Sequence, residues 1–188
     1  MNIIFLDFDG VLNTTASFYF RASNIHSDCI NYFLEAVEDI SKSVEIKIVI
    51  SSSWRYEDDF TRFSNYVYEH CGNHVGEIHK LFSFLHEDYC TKRLKGKRGY
   101  EVKEWLSRHP EVERYICIDD DSDFLKGQPL LHTHIINGFS FLEMFILKAY
   151  FLQDEDSLAS LKRLKEEIKF IQRDIRMKTK LMDKILNK

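Results

Sequence analysis

IIFLDFDGVLN, residues 3–13, sets four apolar residues against two aspartates that stand one residue apart, with a glycine next. The apolar run reads as a short buried strand, residues 2–6. A strand that ends in two neighbouring carboxylates carries an electrostatic cost, because like charges repel and burial strengthens the repulsion. Asp7 and Asp9 therefore mark the place where the chain spends stability on chemistry.

The same pattern recurs twice. IKIVI, 46–50, reads as a second buried strand and runs into SSSWR. RYICI, 114–118, reads as a third and runs into DDDSD. THII, 133–136, is the candidate fourth. Between them lie helical patterns. Ser27 and Asp28 stand as N-cap before a helix to about Ile40, with Ile30, Phe33, Leu34 and Val37 on one face. Residues 57–70 read as helical. Another helix opens at Gly99 or Tyr100, carries Val102, Trp105 and Leu106 on one side and stops at Pro110. An apolar helix follows Gly138 to about Leu152. Residues 71–98 show no clear pattern.

Continuously apolar strands alternating with helices predict an α/β fold, a Rossmann-like parallel sheet with helices on both faces. In such sheets ligands bind beyond the carboxyl ends of the strands. Asp7 and Asp9, Ser51–Ser53, and Asp119–Asp121 all fall there, so three clusters converge on one edge. Crowded carboxylates with no His or Cys among them suit a hard divalent cation, above all Mg²⁺.

The whole composition fits this reading. The 188 residues are 44% hydrophobic and 30% charged, with seven Gly and two Pro, as in a globular chain. The net charge is −4. Residues 155–188 hold ten Lys/Arg against six Asp/Glu, a surplus of +4 that leaves −8 on the remainder. An acidic body of that kind disfavours general adhesion to nucleic acid unless a cation offsets it. The four cysteines form no CxxC pair. The chain shows neither a cleavable leader nor an apolar run of spanning length. The expectation is a cytoplasmic protein with reduced thiols and no membrane association.

Asp7-Phe8-Asp9-Gly10-Val11, the serines after an apolar strand and the Asp119-Asp120 pair after another resemble the haloacid dehalogenase superfamily over about residues 1–150. SSSWR, RGYEVKEWL and CIDDDSDF are similar to the phosphatase-type domains of bacterial RNA-repair proteins in that superfamily. The resemblance implies an Mg²⁺-dependent phosphomonoester hydrolase. Asp7 would be the nucleophile that forms an aspartyl-phosphate. Asp9 would be the general acid and then the base, with its backbone carbonyl on the metal. Members that displace halide generally lack the second aspartate. Gly10 would allow a sharp turn at the phosphate. Ser52, then Ser51, would hydrogen-bond the phosphoryl group. The third motif needs a cation, which the family usually supplies as Lys. Here Lys97 and Arg98 both qualify, with RGYEVKEWL favouring Arg98. Asp119 and Asp120 would complete the metal site, with Asp123 behind them and Asp121 in the solvent-facing loop.

Two neighbours of the serines stay open. Arg55 has two candidate partners, substrate phosphate or an acid such as Glu101. Trp54 reads as core more readily than as a stacking platform. The domain reading is 1–152 for the phosphatase-like unit, with 56–98 a small cap insert and 14–27 a short flap. A modest cap leaves the site open, which suits a nucleotide or a nucleic-acid terminal phosphate better than an enclosed small metabolite. His70, Cys71, His74, His79, His86 and Cys90 lie in the insert without the spacing of a zinc finger. They read as surface histidines and buried thiols. The aromatics of the insert read as a small apolar core.

Residues 153–188 read as a long amphipathic helix. Leu161, Leu164, Ile168, Ile171, Ile175, Met182 and Ile185 step by three and four, interrupted at Lys178, in the rhythm of a coiled coil. The stripe implies a partner helix, from a second copy in a homodimer or from the body; self-association is the expectation. The alternative function is a phosphate-binding scaffold on the same fold that recruits partners through this helix.

Overall fold

The computed structural model describes residues 1–20, 25–57 and 59–186. Five strands form one parallel sheet in the order β3-β2-β1-β4-β5. In chain order β1 is Asn2–Leu6, followed by α1 Thr15–Phe20, α2 Ser27–Ser41 and β2 Ile46–Ile50. Then come α3 Phe60–His70, α4 Val75–Ser83, β3 Leu85–Cys90, α5 Arg98–Arg108 and β4 Arg114–Asp119. The chain continues through β5 Leu130–His132, α6 Phe141–Leu152 and α7 Glu155–Leu186. This is the expected α/β Rossmann-like sheet with a long C-terminal helix.

β1 is central, and its alternation divides the core. Ile4 and Leu6 face the larger cluster, where α2 contributes Ile30, Phe33 and Val37, and α6 contributes Met144 and Leu147. Ile3 and Phe5 face the smaller cluster with Val102 and Trp105 of α5. Both faces of the strand are covered, which is why its sequence is apolar throughout. Each such buried side chain contributes about 2 kcal/mol relative to exposure. Trp105 packs edge-on to Phe5 at 5.4 Å, and its indole N–H donates to the Asp88 carbonyl at 3.0 Å.

Several sequence expectations change in detail. Ser27 is the first residue of α2 and not its cap; His26 holds that position without a side-chain bond. The segment without clear pattern contains α4 and β3. β3 pairs with β2 as the sheet's outer strand, so the 56–98 insert ends as part of the sheet itself. The last strand is Leu130–His132, three residues earlier than the expected 133–136. Ile135 and Ile136 are exposed, and a turn closed by a His134–Gly138 bridge takes their place. Residues 21–24 of the expected flap, and Asp58 of the insert, lie outside the described residues.

α6 begins with a capping box between Ser140 and Glu143. It ends at Gln153, whose φ of 52° turns the chain before α7. The apolar positions of α7 become exposed along its length, with Ile171, Ile175, Met182 and Ile185 all more than half accessible. No helix among the described residues is long and apolar enough to cross a membrane.

Candidate active site

Strand register builds the site. Leu6 pairs with Ile50 on one side and with Ile118 on the other. The next residue of each strand, Asp7, Ser51 and Asp119, therefore emerges at one level. Backbone bonds extend the alignment, from Ser51 N–H to the Leu6 carbonyl at 2.8 Å and from Asp7 N–H to the Ile118 carbonyl at 3.1 Å. Asp7, Ser51, Ser52 and Asp119 are all buried.

Asp7, Asp119 and Asp120 place carboxylate oxygens within 4.8 Å of one another. Burial, opposed by Arg98, raises the Asp7 carboxyl above its ordinary range. Burial and then the Asp7 charge raise Asp119 further, and burial raises Asp120 too. Asp119 Oδ2 is buried with no hydrogen-bond partner. Three hard oxygen donors, one of them without a hydrogen bond, and negative charge that a single guanidinium offsets only in part fit a divalent cation such as Mg²⁺. Gly10 makes the space: its φ is +67°, and a Cβ there would lie 2.2 Å from Asp120 Cγ. Its carbonyl accepts from the buried Thr133 hydroxyl at 2.8 Å.

Arg98 is the third-motif candidate that lies beside the carboxylates. Nη1 lies 3.4 Å from Asp7 Oδ2, and Nε lies 3.5 Å from Asp119 Oδ2. The guanidinium also donates to the Ser51 carbonyl. Its helix start is held by Asp123, whose Oδ2 accepts the Arg98 N–H at 3.0 Å. Lys97 precedes α5 and is exposed. The start of α5 thus brings its first residue, Arg98, to the carboxylates, while Lys97 stays outside the helix as its N-cap.

Asp9 points elsewhere. Its Oδ1 and Oδ2 each accept from the Trp54 indole N–H at 3.0 Å. Asn13 Nδ2 donates to Oδ1 at 2.8 Å, and the exposed Ser53 hydroxyl reaches Oδ2 at 3.3 Å. Asp9 is outside the carboxylate group that gathers around Asp119.

The remaining candidates sort themselves by contact. The Ser52 hydroxyl faces Asp7, lowering its pKa, and accepts the Trp54 backbone N–H at 3.2 Å. The Ser51 hydroxyl is buried with no hydrogen-bond partner. Of the two partners left open for Arg55, the fold supplies Glu101, with Nη2 2.6 Å from Oε2. Asp121 is an exposed loop residue whose N–H bonds Asp119 Oδ1 at 2.9 Å.

The histidines and cysteines of the insert do not gather at one point. Cys71 and Cys90 are buried, His70 packs on Tyr66 at 4.2 Å, and His86 approaches His109 and Glu111. Asn13, Thr133 and Trp54 touch the site without having been read as part of it. Asn13 alone carried a signal, as a polar residue in an otherwise apolar run after Asp9-Gly10.

No curated protein and no solved structure gives a significant match to the chain. A family model does. The model of the HAD domain in Swiss Army Knife RNA repair proteins matches residues 3–140, nearly all of the sheet and every residue of the carboxylate edge, and the chain belongs to that family.

Proposed function

We propose that the protein is an Mg²⁺-dependent phosphomonoester hydrolase that works through an aspartyl-phosphate on Asp7. Membership of a HAD family supports a HAD-type phosphatase in general terms. The observation that carries the finer reading is Asp7 standing between Arg98 and the Asp119–Asp120 pair, with Asp9 held separately beside it.

Asp7, Asp119, Asp120 and the Asp9 backbone carbonyl would hold the ion, which supplies charge neutralisation for phosphate at a carboxylate-rich edge. Asp7 attacks phosphorus as the ester oxygen leaves, and Asp9 gives that oxygen its proton. Asp9 then takes a proton from the water that attacks the aspartyl-phosphate, and inorganic phosphate departs. Arg98 balances the charge between phosphate and Asp7. The Ser51 hydroxyl, without a protein partner, is free to bond a phosphoryl oxygen, and Ser52 assists beside it.

The substrate class proposed is a nucleotide or a nucleic-acid terminal phosphate. The family's place in RNA repair supports it, as do Lys95 and Lys97, exposed on the loop that leads to Arg98. The exposed stripe of α7 supports a homodimer through this helix, which sedimentation would read as twice the monomer mass. It also gives some support to the rival reading, a phosphate-binding scaffold that recruits partners.

The test is hydrolysis of p-nitrophenyl phosphate, nucleotides and phosphorylated oligoribonucleotides with Mg²⁺ and with chelator, using Asp7→Asn as the blank. Metal-dependent release above that blank is expected. Wild-type inactivity across all three substrate classes would overturn the phosphatase and leave the scaffold.

A further inference from the structure

Resting on that reading, we infer that Trp54 is a positioning residue for the general acid: with Asn13 it clamps the Asp9 carboxylate in one orientation, with Oδ2 as the oxygen left for the leaving group.

Trp54 is 6% exposed. Its ring stacks on Phe8 at 4.9 Å with an interplanar angle of 12°, and the edges of Tyr66 and His70 close around it at 5.3 and 5.7 Å. An indole packed on several sides has one orientation, so its N–H has one direction. A buried indole N–H needs an acceptor, and many acceptors would satisfy it. Here it meets the carboxylate of Asp9, 3.0 Å from both oxygens. Phe or Leu would serve packing alone. The N–H adds nothing to the core and everything to the placement of Asp9.

Asn13 fixes the second direction. Its Oδ1 accepts the Gly10 N–H at 2.9 Å, which sets the amide's orientation and turns Nδ2 onto Asp9 Oδ1 at 2.8 Å. Oδ1 thus receives a full side-chain donor and a share of the indole. Oδ2 receives the other share and a 3.3 Å contact from Ser53, a hydroxyl that can donate or accept. Oδ2 is therefore the oxygen with fewer obligate donors in the protein, and the one left for the leaving group. The neighbour of Oδ2, Ser53, is an exposed residue. In the first step the Asp9 proton passes to the ester oxygen as its bond to phosphorus breaks. In the second, a proton of the attacking water returns to Asp9, and the group is restored.

The clamp also reaches the nucleophile. The backbone N–H of Trp54 donates to the Ser52 hydroxyl, which faces Asp7. Phe8, on which the indole rests, lies between Asp7 and Asp9 in the chain. One residue thereby ties the position of the acid to that of the nucleophile.

The test uses leaving groups. Trp54→Phe keeps a ring on Phe8 and removes the N–H. A p-nitrophenolate leaving group needs little protonation, whereas the alkoxide of a nucleoside 5′-monophosphate needs a placed acid. General acid catalysis is worth about 10²–10⁴-fold, so a misplaced acid should cost the nucleotide at least roughly tenfold more than the aryl ester in kcat. Equal losses on the two substrates would show a merely structural Trp54 and overturn the inference. If Trp54→Phe melts early, Asn13→Ala, which removes the other clamping donor, decides on the same pair when assayed below its melting temperature. A selective loss on the nucleotide supports the clamp, and a flat ratio removes it. A wild type silent on both esters overturns the phosphatase reading itself, an outcome distinct from an active wild type with a flat variant ratio.

Discussion

The Asp7 side of the site is dry and crowded with charge. Asp7 and Asp119 are buried beside each other, Asp120 adjoins them, and a single guanidinium spans the first two at 3.4 and 3.5 Å. Among the described residues, the Asp9 carboxylate has no cation as a hydrogen-bond partner. An indole, an amide and a hydroxyl hold that carboxylate by directed hydrogen bonds. Strand alternation would put residues 7 and 9 on one face, but the strand ends at Leu6 and the chain turns through Gly10, whose φ is +67°, and this turn divides the two. The first arrangement stores unfavourable charge that phosphate and a cation relieve. The second stores geometry. A nucleophile and a proton donor would need these different surroundings, as the roles proposed for the two side chains require.

The largest test of that division exchanges each carboxylate for its amide. Asp7→Asn should abolish turnover, by at least about 10³-fold, as removal of a covalent nucleophile does. It should also trap no phosphoryl-enzyme in an acid quench with ³²P-labelled substrate. Asp9→Asn should slow turnover about 10²–10⁴-fold but, with an aryl ester, still form the aspartyl-phosphate. That intermediate then accumulates because the base for water is missing. Equal absence of the intermediate in both variants would erase the contrast.

The part of this contrast that was legible in the sequence lies at strand ends. Residues 2–6, 46–50 and 114–118 are unbroken apolar runs because both faces of the sheet are covered, so their ends were visible. Parallel register then makes the following residues neighbours. β3 was not legible: its burial is partial, and His86, Glu87 and Asp88 break the apolar run. The difference between Arg98 and Lys97 rests on where α5 begins, at the first and not at the second, and both residues satisfy the same charge rule. The partner of Arg55 lies 46 residues away in sequence, where only folding selects Glu101 from other acids. Trp54 was read as core correctly as far as packing goes. The target of an indole N–H leaves no trace in composition or spacing.

The charged side can be weakened without touching a carboxylate. Arg98→Ala leaves Asp7 and Asp119 facing each other without their counter-charge, and turnover should fall about a hundredfold or more. Arg98→Lys should restore part of it, since an ammonium keeps the charge but not the fork that reaches both acids. Lys97→Ala, assayed on an aryl phosphate, should change the rate by less than about twofold, as an exposed charge does. Similar losses at 97 and 98 would mean that the contacts of Arg98 do not carry its role.

The smallest effect is on stability. Burial pushes Asp7 up to about 6 and Asp119 up to about 8, against 3.8 for a free Asp. The folded chain thus binds protons more tightly than the unfolded chain. Its stability from these groups is full below pH ~4, where both states are protonated, and is lost as pH rises through 6 toward 8. The metal-free protein should therefore melt at a lower temperature at pH 8 than at pH 5 on account of these groups. Mg²⁺ binds the ionised carboxylates and so should raise the melting temperature more at pH 8 than at pH 5. Asp119→Asn should flatten both dependences, because it removes the more strongly raised acid, whereas Trp54→Phe should leave both slopes in place. If the slope survives Asp119→Asn and vanishes in Trp54→Phe, the strain belongs to the Asp9 side and the two halves of the site have been assigned the wrong way round.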